Sequence, residues 1–294
     1  MTLTVTRSNI RLNPDYKKVI PRYFNTGNER SLLIIAKVIQ MEDKDAQTLL
    51  GNTMIEFSNR YRNIQSIFLK HFNLTKHLLP DREQHDLSEE KKLLIGSYFT
   101  MEYSIEAAAL FNPSIMEDSD QYGAGAGQKK VIVSFRATGE SHISSLVFRQ
   151  GLLDENGMIH LEPAGRFFGE GVVAQQDRDN KMVFATLLSQ MVLPDDIISH
   201  ILDQLKDPFS YKEIEVVLKD ALLQIESVAE RKKIRYEILS MVNTNYELNF
   251  LPDSLLSERV IFPVTRAEKN GIEDARFVKF TEDDGTFTYI ATYT

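Results

Sequence analysis

One stretch of the sequence concentrates groups able to move a proton. Asn270-Gly271-Ile272-Glu273-Asp274-Ala275-Arg276 sets two adjacent carboxylates and a guanidinium between a glycine turn and the apolar run that begins at Phe277. In an extended segment successive side chains alternate sides, so Glu273 and Asp274 point to opposite faces while Asp274 and Arg276 share one. Arg276 then either holds Asp274 or binds the same ligand. A carboxyl group fixed at a sheet end suits general acid/base work on a glycosidic bond. The plainer alternative is a surface turn with a salt bridge.

A second polar cluster, Thr138-Gly139-Glu140-Ser141-His142-Ile143-Ser144-Ser145, lies between two apolar runs. Donor-rich loops held by strands often make ligand contacts, although turn chemistry alone accounts for the same residues. His71, His77 and His85 fall in a polar region without metal-ligand spacing and read as solvated surface histidines. Gly123-Ala124-Gly125-Ala126-Gly127 is not a phosphate loop, because no Lys-Ser/Thr follows and Gln128-Lys129-Lys130 leads into a strand. Ser144 and Ser145 are outside a Gly-x-Ser-x-Gly elbow, which argues against a Ser–His hydrolase. No metal site is expected, and the absence of cysteine removes thiol nucleophiles, disulfides and Cys-based clusters together.

The elements that must position these groups divide the chain into four regions. Residues 1–110 form an arm containing Asn13-Pro14 and Ile20-Pro21, then a helical region with apolar repeats at Leu32, Leu33, Ala36, Ile39 and at Met54, Phe57, Tyr61, Ile64, Ile67, Phe68. Asp86-Leu87-Ser88-Glu89-Glu90 starts a helix expected to run through Leu93, Ile95, Tyr98 and Met101 to Ala109. Residues 111–175 read as a β-meander containing Val131-Ile132-Val133-Ser134-Phe135-Arg136. Residues 176–258 return to helical spacing, with stripes at Ile197, Ile198, Ile201, Leu202, Leu205 and at Ile214, Val217, Leu218, Ala221, Leu222, Ile225. Residues 259–294 are strand-rich, and nothing follows the alternating run 286–294 to pair with it, so the chain is expected to be the front portion of a longer protein.

The 294 residues carry 34 basic and 42 acidic side chains, a net charge of −8 that argues against nucleic-acid and anionic-membrane partners. The N-terminus lacks a secretory pattern, and no stretch approaches the roughly 18–20 apolar residues of a membrane span. The protein therefore reads as soluble and cytoplasmic.

Three segments together resemble glycoside hydrolase family 130, the β-mannoside phosphorylases and β-mannosidases. They are Ser104-Ile105-Glu106-Ala107-Ala108-Ala109-Leu110-Phe111-Asn112-Pro113-Ser114, then Ser134 through Ser145, then Asn270 through Arg276. The chain is similar to the N-terminal portion of long-form bacterial members, and the likeness covers nearly all of it. It implies an α+β chain: a helical N-terminal region, then part of a five-bladed β-propeller, with 111–175 in the first blade, 176–258 as a helical insertion and 259–294 opening the second.

The resemblance further implies that Asp274 is the catalytic acid of a Glu-Asp-Pro-Arg motif, here with Ala275 in place of proline. Asn112, Arg136 and Arg276 would contact the sugar, with His142, Ser144 and Ser145 as weaker candidates. The implied reaction is inverting cleavage of a β-mannoside oligosaccharide by phosphorolysis or hydrolysis. It needs no cofactor beyond inorganic phosphate as co-substrate in the first case. The isolated chain is expected to be inactive, and its helical regions are candidate homo-oligomer contacts. The alternative reading is a non-catalytic sugar-binding or helical scaffold protein.

Overall fold

The computed structural model describes residues 9–79, 87–174, 179–242, 246–265 and 268–294, which leaves His85 outside the described residues. The fold is mixed α+β. Its helices are α1 (Asn28–Gln40), α2 (Asp43–Phe57), α3 (Ile64–Thr75), α4 (Glu89–Tyr98), α5 (Lys181–Leu188), α6 (Asp195–Gln204), α7 (Tyr211–Ala221) and α8 (Val228–Val242). Its strands are β1 (Asp15–Tyr23), β2 (Thr100–Glu106), β3 (Ala109–Glu117), β4 (Lys129–Thr138), β5 (Ser144–Leu153), β6 (Ile159–Leu161), β7 (Gly169–Glu170), β8 (Val172–Ala174), β9 (Glu247–Asn249), β10 (Arg259–Ile261), β11 (Arg276–Thr281) and β12 (Phe287–Thr292). The chain divides into two compact units. One comprises Met1–Glu170, Pro252–Phe262 and Ile272–Thr294; the other comprises Gly171–Leu251 and Pro263–Gly271.

The first unit is organised by a sheet of order β3-β4-β5-β10-β7, with β6 added to the end of β5. Neighbours are antiparallel except β10 and β7. The unbroken apolar run of β4 follows from burial on both faces, which removes the usual alternation of apolar and polar residues. Val131, Val133, Phe135 and Ala137 pack with Ile20 of β1 and with Tyr103 and Ile105 of β2. On the opposite face Ile132 joins Met116 and Phe148 beneath Phe277 and Tyr289 of the β11–β12 hairpin. Phe148 meets Phe277 edge-on, with ring centroids 5.9 Å apart.

Between the β1–β2 pair and the principal sheet lies a buried ion network. Glu106, fully buried, accepts from Arg149 Nη2 at 2.5 Å and from Lys18 Nζ at 2.6 Å. Arg149 is itself only 2 % exposed and also donates to the Phe148 carbonyl.

The helices α1–α4 enclose a separate apolar cluster that includes Ile35, Phe68, Phe72, Leu94, Ile95 and Phe99. Two expectations are corrected here. The helix opened by Ser88, whose hydroxyl accepts from Lys91 N, ends at Tyr98 rather than Ala109. No glycine or proline stops it; Thr100 through Glu106 instead pairs with β1, and tertiary pairing overrides helical spacing. The apolar repeat from Met54 to Phe68 likewise spans a break between α2 and α3, where Asn63 caps the new helix by accepting from Ser66 N.

His71 is a further correction, for it is 2 % exposed rather than solvated. It follows Phe68 and precedes Phe72 and Thr75 on the inward face of α3, a spacing of three and four residues. Its Nδ1 lies 2.7 Å from Thr100 Oγ1, and that hydroxyl donates to the Gly96 carbonyl at 2.8 Å. With its proton so used, Thr100 must accept from His71, which fixes the neutral imidazole with its proton on Nδ1. His77, by contrast, is exposed, with its Nδ1 at the Leu74 carbonyl.

The second unit packs α5–α8 around Phe184, Leu188, Ile201, Phe209, Ile214, Leu218 and Ile238. Ser210 and Glu213 form a reciprocal capping box at the start of α7. Strands β8 and β9 pair antiparallel. No described helix is long and apolar enough to cross a membrane.

Two predictions follow from the helical layer. A Cβ at Gly96 would stand 1.9 Å from the Phe68 carbonyl oxygen, so α3 and α4 meet backbone to backbone only because that position is glycine. Gly96→Ala should destabilise by about 2–3 kcal/mol, read as a lower urea midpoint; an unchanged midpoint would show that the helices separate freely. Burial, aided by the charges of Lys70 and Arg22, pushes the His71 imidazole down from 6.5 to about 4. Between those values the unfolded chain binds a proton that the fold excludes, so stability falls as pH drops through the window and levels off below it. His71→Gln should flatten the stability–pH curve there, and an undiminished slope would assign it to another group.

Candidate functional site

The three motifs singled out in the sequence meet on the hairpin-covered face of the principal sheet. Arg136 comes from β4. Ser144 opens β5, two pairs further along the same ladder and therefore on the same face, and so lies beside it. Asn112 sits at an irregularity in β3 between Phe111 and Ser114, where Pro113 lacks the N–H that a regular ladder would use. Glu273 and Asp274 precede β11.

Backbone bonds hold that acidic segment along its length. Ile272 N donates to the Ser144 carbonyl at 2.9 Å, Glu273 exchanges both backbone bonds with Thr294, and Phe277 N donates to Ser114 Oγ at 3.0 Å. Ile272 and Ala275 are buried against Leu146. The small Ala275 side chain is what this apolar contact receives.

Asn112 and Asp274 have φ of 46° and 52°, in the left-handed region that most L-residues avoid. Their short polar side chains tolerate it better than most, and they bond each other: Asn112 Nδ2 donates to Asp274 Oδ1. The same Asp274 oxygen accepts from Arg136 Nη1 at 3.3 Å. Arg136 Nη2 donates to Glu273 Oε1 at 2.6 Å, and Arg136 Nε donates to Ser144 Oγ at 2.9 Å. The Ser144 hydroxyl then donates to Glu273 Oε1 at 3.1 Å. The Arg136 guanidinium also lies 5.9 Å from the ring centroid of Phe111, its partner across the ladder.

Glu273 was expected to face away from Asp274. Strand alternation fails because β11 begins only at Arg276 and the left-handed turn at Asp274 brings both carboxylates to one guanidinium. Of the two roles expected for Arg276, holding Asp274 or binding the same ligand, the first is not made by a direct bond: Arg276 Nη1 donates to the Asn112 carbonyl at 3.0 Å and to the Ala275 carbonyl at 3.3 Å. It braces the backbone of both left-handed residues' segments rather than bonding the acid directly.

The structure thus gathers Asn112, Arg136, Ser144, Asp274 and Arg276, and adds Glu273 and Phe111. His142 lies in the β4–β5 turn with φ 61° and an exposed side chain. Ser145 is buried on the opposite sheet face, paired with Ala137, and its hydroxyl has no hydrogen-bond partner among the described residues. Glu273 had a signal that sequence reasoning passed over, its place before the strand rather than within it. For Phe111 the signal was an aromatic residue next to Asn112.

The side chains of Arg136, Glu273 and Asp274 remain 24, 34 and 42 % exposed, so the cluster is open to a ligand. The Asn112 amide, and then the bond and charge of Arg136 and the charge of Arg276, hold the Asp274 carboxyl below its ordinary range against a partial desolvation that raises it. A carboxylate, two guanidinium groups and an amide in this arrangement can bind sugar hydroxyls, and the carboxyl can exchange a proton. Among the described residues no group of three or more His, Asp or Glu side chains forms a metal site. Comparison with known proteins gives no match to a family model, a curated protein or a solved structure.

The depressed Asp274 value carries a signed expectation. Stability from its ionised contacts is fully present above the ordinary 3.8 of the unfolded chain and is lost as pH falls through the lower folded value. Urea midpoints of the native protein and Asp274→Asn should differ by a constant amount near neutrality, with the native protein losing ground as pH is taken below 3.8. A difference that stays constant in that acid range would mean Asp274 is not held ionised by its neighbours.

Proposed function

We propose that this site cleaves β-mannosidic bonds with inversion of configuration, by phosphorolysis in preference to hydrolysis, and that the principal sheet and the β11–β12 hairpin belong to blades of a five-bladed propeller. One observation supports the reading above all: Asp274 and Arg276 meet residues of two motifs lying 138–164 positions earlier in a single hydrogen-bonded cluster around Asp274. The sugar class comes from the likeness of those motifs to the mannoside-cleaving family.

In this reading Asn112, Arg136 and Arg276 orient the mannose next to the scissile bond, and Asp274 supplies the leaving oxygen with its proton, directly or through a sugar hydroxyl. Phosphate or water attacks the anomeric carbon from the opposite face. Asp274 is charged in the free site near neutrality, so it must gain its proton as the sugar arrives. Covering the carboxylate with a sugar strips water from it, which favours the neutral acid.

A second reading, a sugar-binding site without catalysis, draws on that same depressed carboxyl: an acid held ionised by an amide and two guanidinium groups is a good acceptor for hydroxyls and a poor donor. One experiment separates the two. β-Mannobiose isomers are titrated calorimetrically into the whole protein, with any further blades encoded beside this chain, and incubated with and without inorganic phosphate, and the first-formed anomer is followed by proton NMR. The catalytic reading expects α-mannose 1-phosphate or α-mannose. Asp274→Asn should lose roughly 10²–10⁴ in rate while retaining binding, and Asp283→Asn, in the exposed turn between β11 and β12, serves as control. Binding without turnover supports the second reading. Absence of binding to any β-mannoside removes both.

A further inference from the structure

Arg136 offers one guanidinium to two carboxylates and divides it unequally. Its Nη2 reaches Glu273 Oε1 at 2.6 Å, whereas its Nη1 reaches Asp274 Oδ1 at 3.3 Å. Ser144 reinforces the imbalance, because its hydroxyl accepts from Arg136 Nε and donates to the same Glu273 oxygen. Arg136, Ser144 and Glu273 close a ring, and Asp274 hangs from it by the longest contact. Charge-assisted bonds between guanidinium and carboxylate are strongest near 2.7–2.9 Å, so most of the fork's attraction is spent on Glu273.

We propose that Glu273 is a positioning residue that keeps the Arg136 fork on itself, limits its hold on Asp274 and so leaves Asp274 able to accept the proton that it delivers. This rests on the reading of Asp274 as the proton donor in sugar-bond cleavage. In that step the bond from the anomeric carbon to the leaving oxygen breaks with its electron pair on oxygen. The oxygen takes the Asp274 proton, and either hydrogen phosphate dianion forms the new bond to carbon or water forms it and gives up one of its protons to solvent. Asp274 ends as a carboxylate and must be reprotonated before the next cycle, which an unshared Arg136 would oppose.

The charged groups around Asp274 are few: Arg136 from β4, Arg276 at the start of β11 and Glu273 on its own segment, with Asn112 and Ser144 neutral. Arg276 spends its Nη1 on two backbone carbonyls. Among these, Glu273 alone competes with Asp274 for a cation. Neutralising it removes a nearby negative charge and releases the fork toward Asp274, and both changes favour the ionised form of the acid.

The test is a carbon-13 titration of the Asp274 carboxyl in the protein without sugar, for the native chain, Glu273→Gln and Glu273→Asp. The expected result is a lower Asp274 midpoint in Glu273→Gln, with Glu273→Asp restored toward the native value because it keeps the charge. A midpoint unchanged or raised in Glu273→Gln overturns the proposal, since a merely structural role would alter melting without moving this titration downward. Should Glu273→Gln fail to fold, Ser144→Ala loosens the same ring with every charge retained; it should shift the midpoint down by less, and no shift overturns the proposal. Because no sugar is present, this result stands apart from the mannoside reading, whose own failure shows as absent β-mannobiose binding by the native protein. Where the native protein cleaves β-mannobiose, Glu273→Gln should lose about tenfold in kcat for each unit of lowered midpoint at a fixed pH above it, with KM unchanged. An unaltered kcat there also overturns the proposal.

Discussion

A single fully buried carboxylate ties together the strands on which the first unit is built. Glu106 closes β2, and its two oxygens are taken by Arg149 of β5 and Lys18 of β1. Neither cation-bearing strand can slide along β2 without stranding a charge in an apolar interior, and breaking such a pair typically costs about 3–5 kcal/mol. The arrangement also sets direction. Arg149 lies on the face of β5 shared with Val147, so Phe148 and Leu146 must turn the other way, toward the β11–β12 hairpin and the acidic segment. The side of the sheet that can carry a site is thereby chosen by an interaction on the side that cannot.

On that open side the backbone does most of the arranging. A β-strand presents side chains at fixed intervals, and no regular strand would bring Asn112 to Asp274. Both residues escape the pattern through left-handed conformations, one at the interruption of β3 and one just before β11. Hydrogen bonds from Ile272, Glu273 and Phe277 then prevent the segment from relaxing. Two guanidinium groups and two carboxylates balance one another, so the cluster is internally neutral while still exposed to solvent.

Much of this was legible in the sequence. The run Val131 through Arg136 read as a strand, and its unbroken apolar character follows from the cover on both of its faces. The gathering of Asn112, Arg136 and Asp274 was legible only through motif likeness, since nothing local relates residues that far apart. Other features lay beyond pattern reading. The end of α4 at Tyr98 is decided by pairing with β1, a partner some 80 residues earlier in the chain. His71 looked polar by type, yet its spacing of three from Phe68 and four from Thr75 put it in the core. Glu273 was misdirected by an alternation rule that holds within strands and lapses in the segment before β11.

The left-handed residues have a consequence for how this sequence can change. A non-glycine residue in that region carries a backbone penalty on the order of 1 kcal/mol, less for asparagine and aspartate than for most. Glycine at position 112 or 274 would remove the penalty and with it the amide or the carboxylate. Drift governed by folding alone therefore pulls these two positions toward glycine, whereas retention of the polar pair opposes that pull. At these positions an improvement in the fold and an improvement in the site are opposite substitutions, so a stabilised descendant that keeps both side chains must find its gains elsewhere.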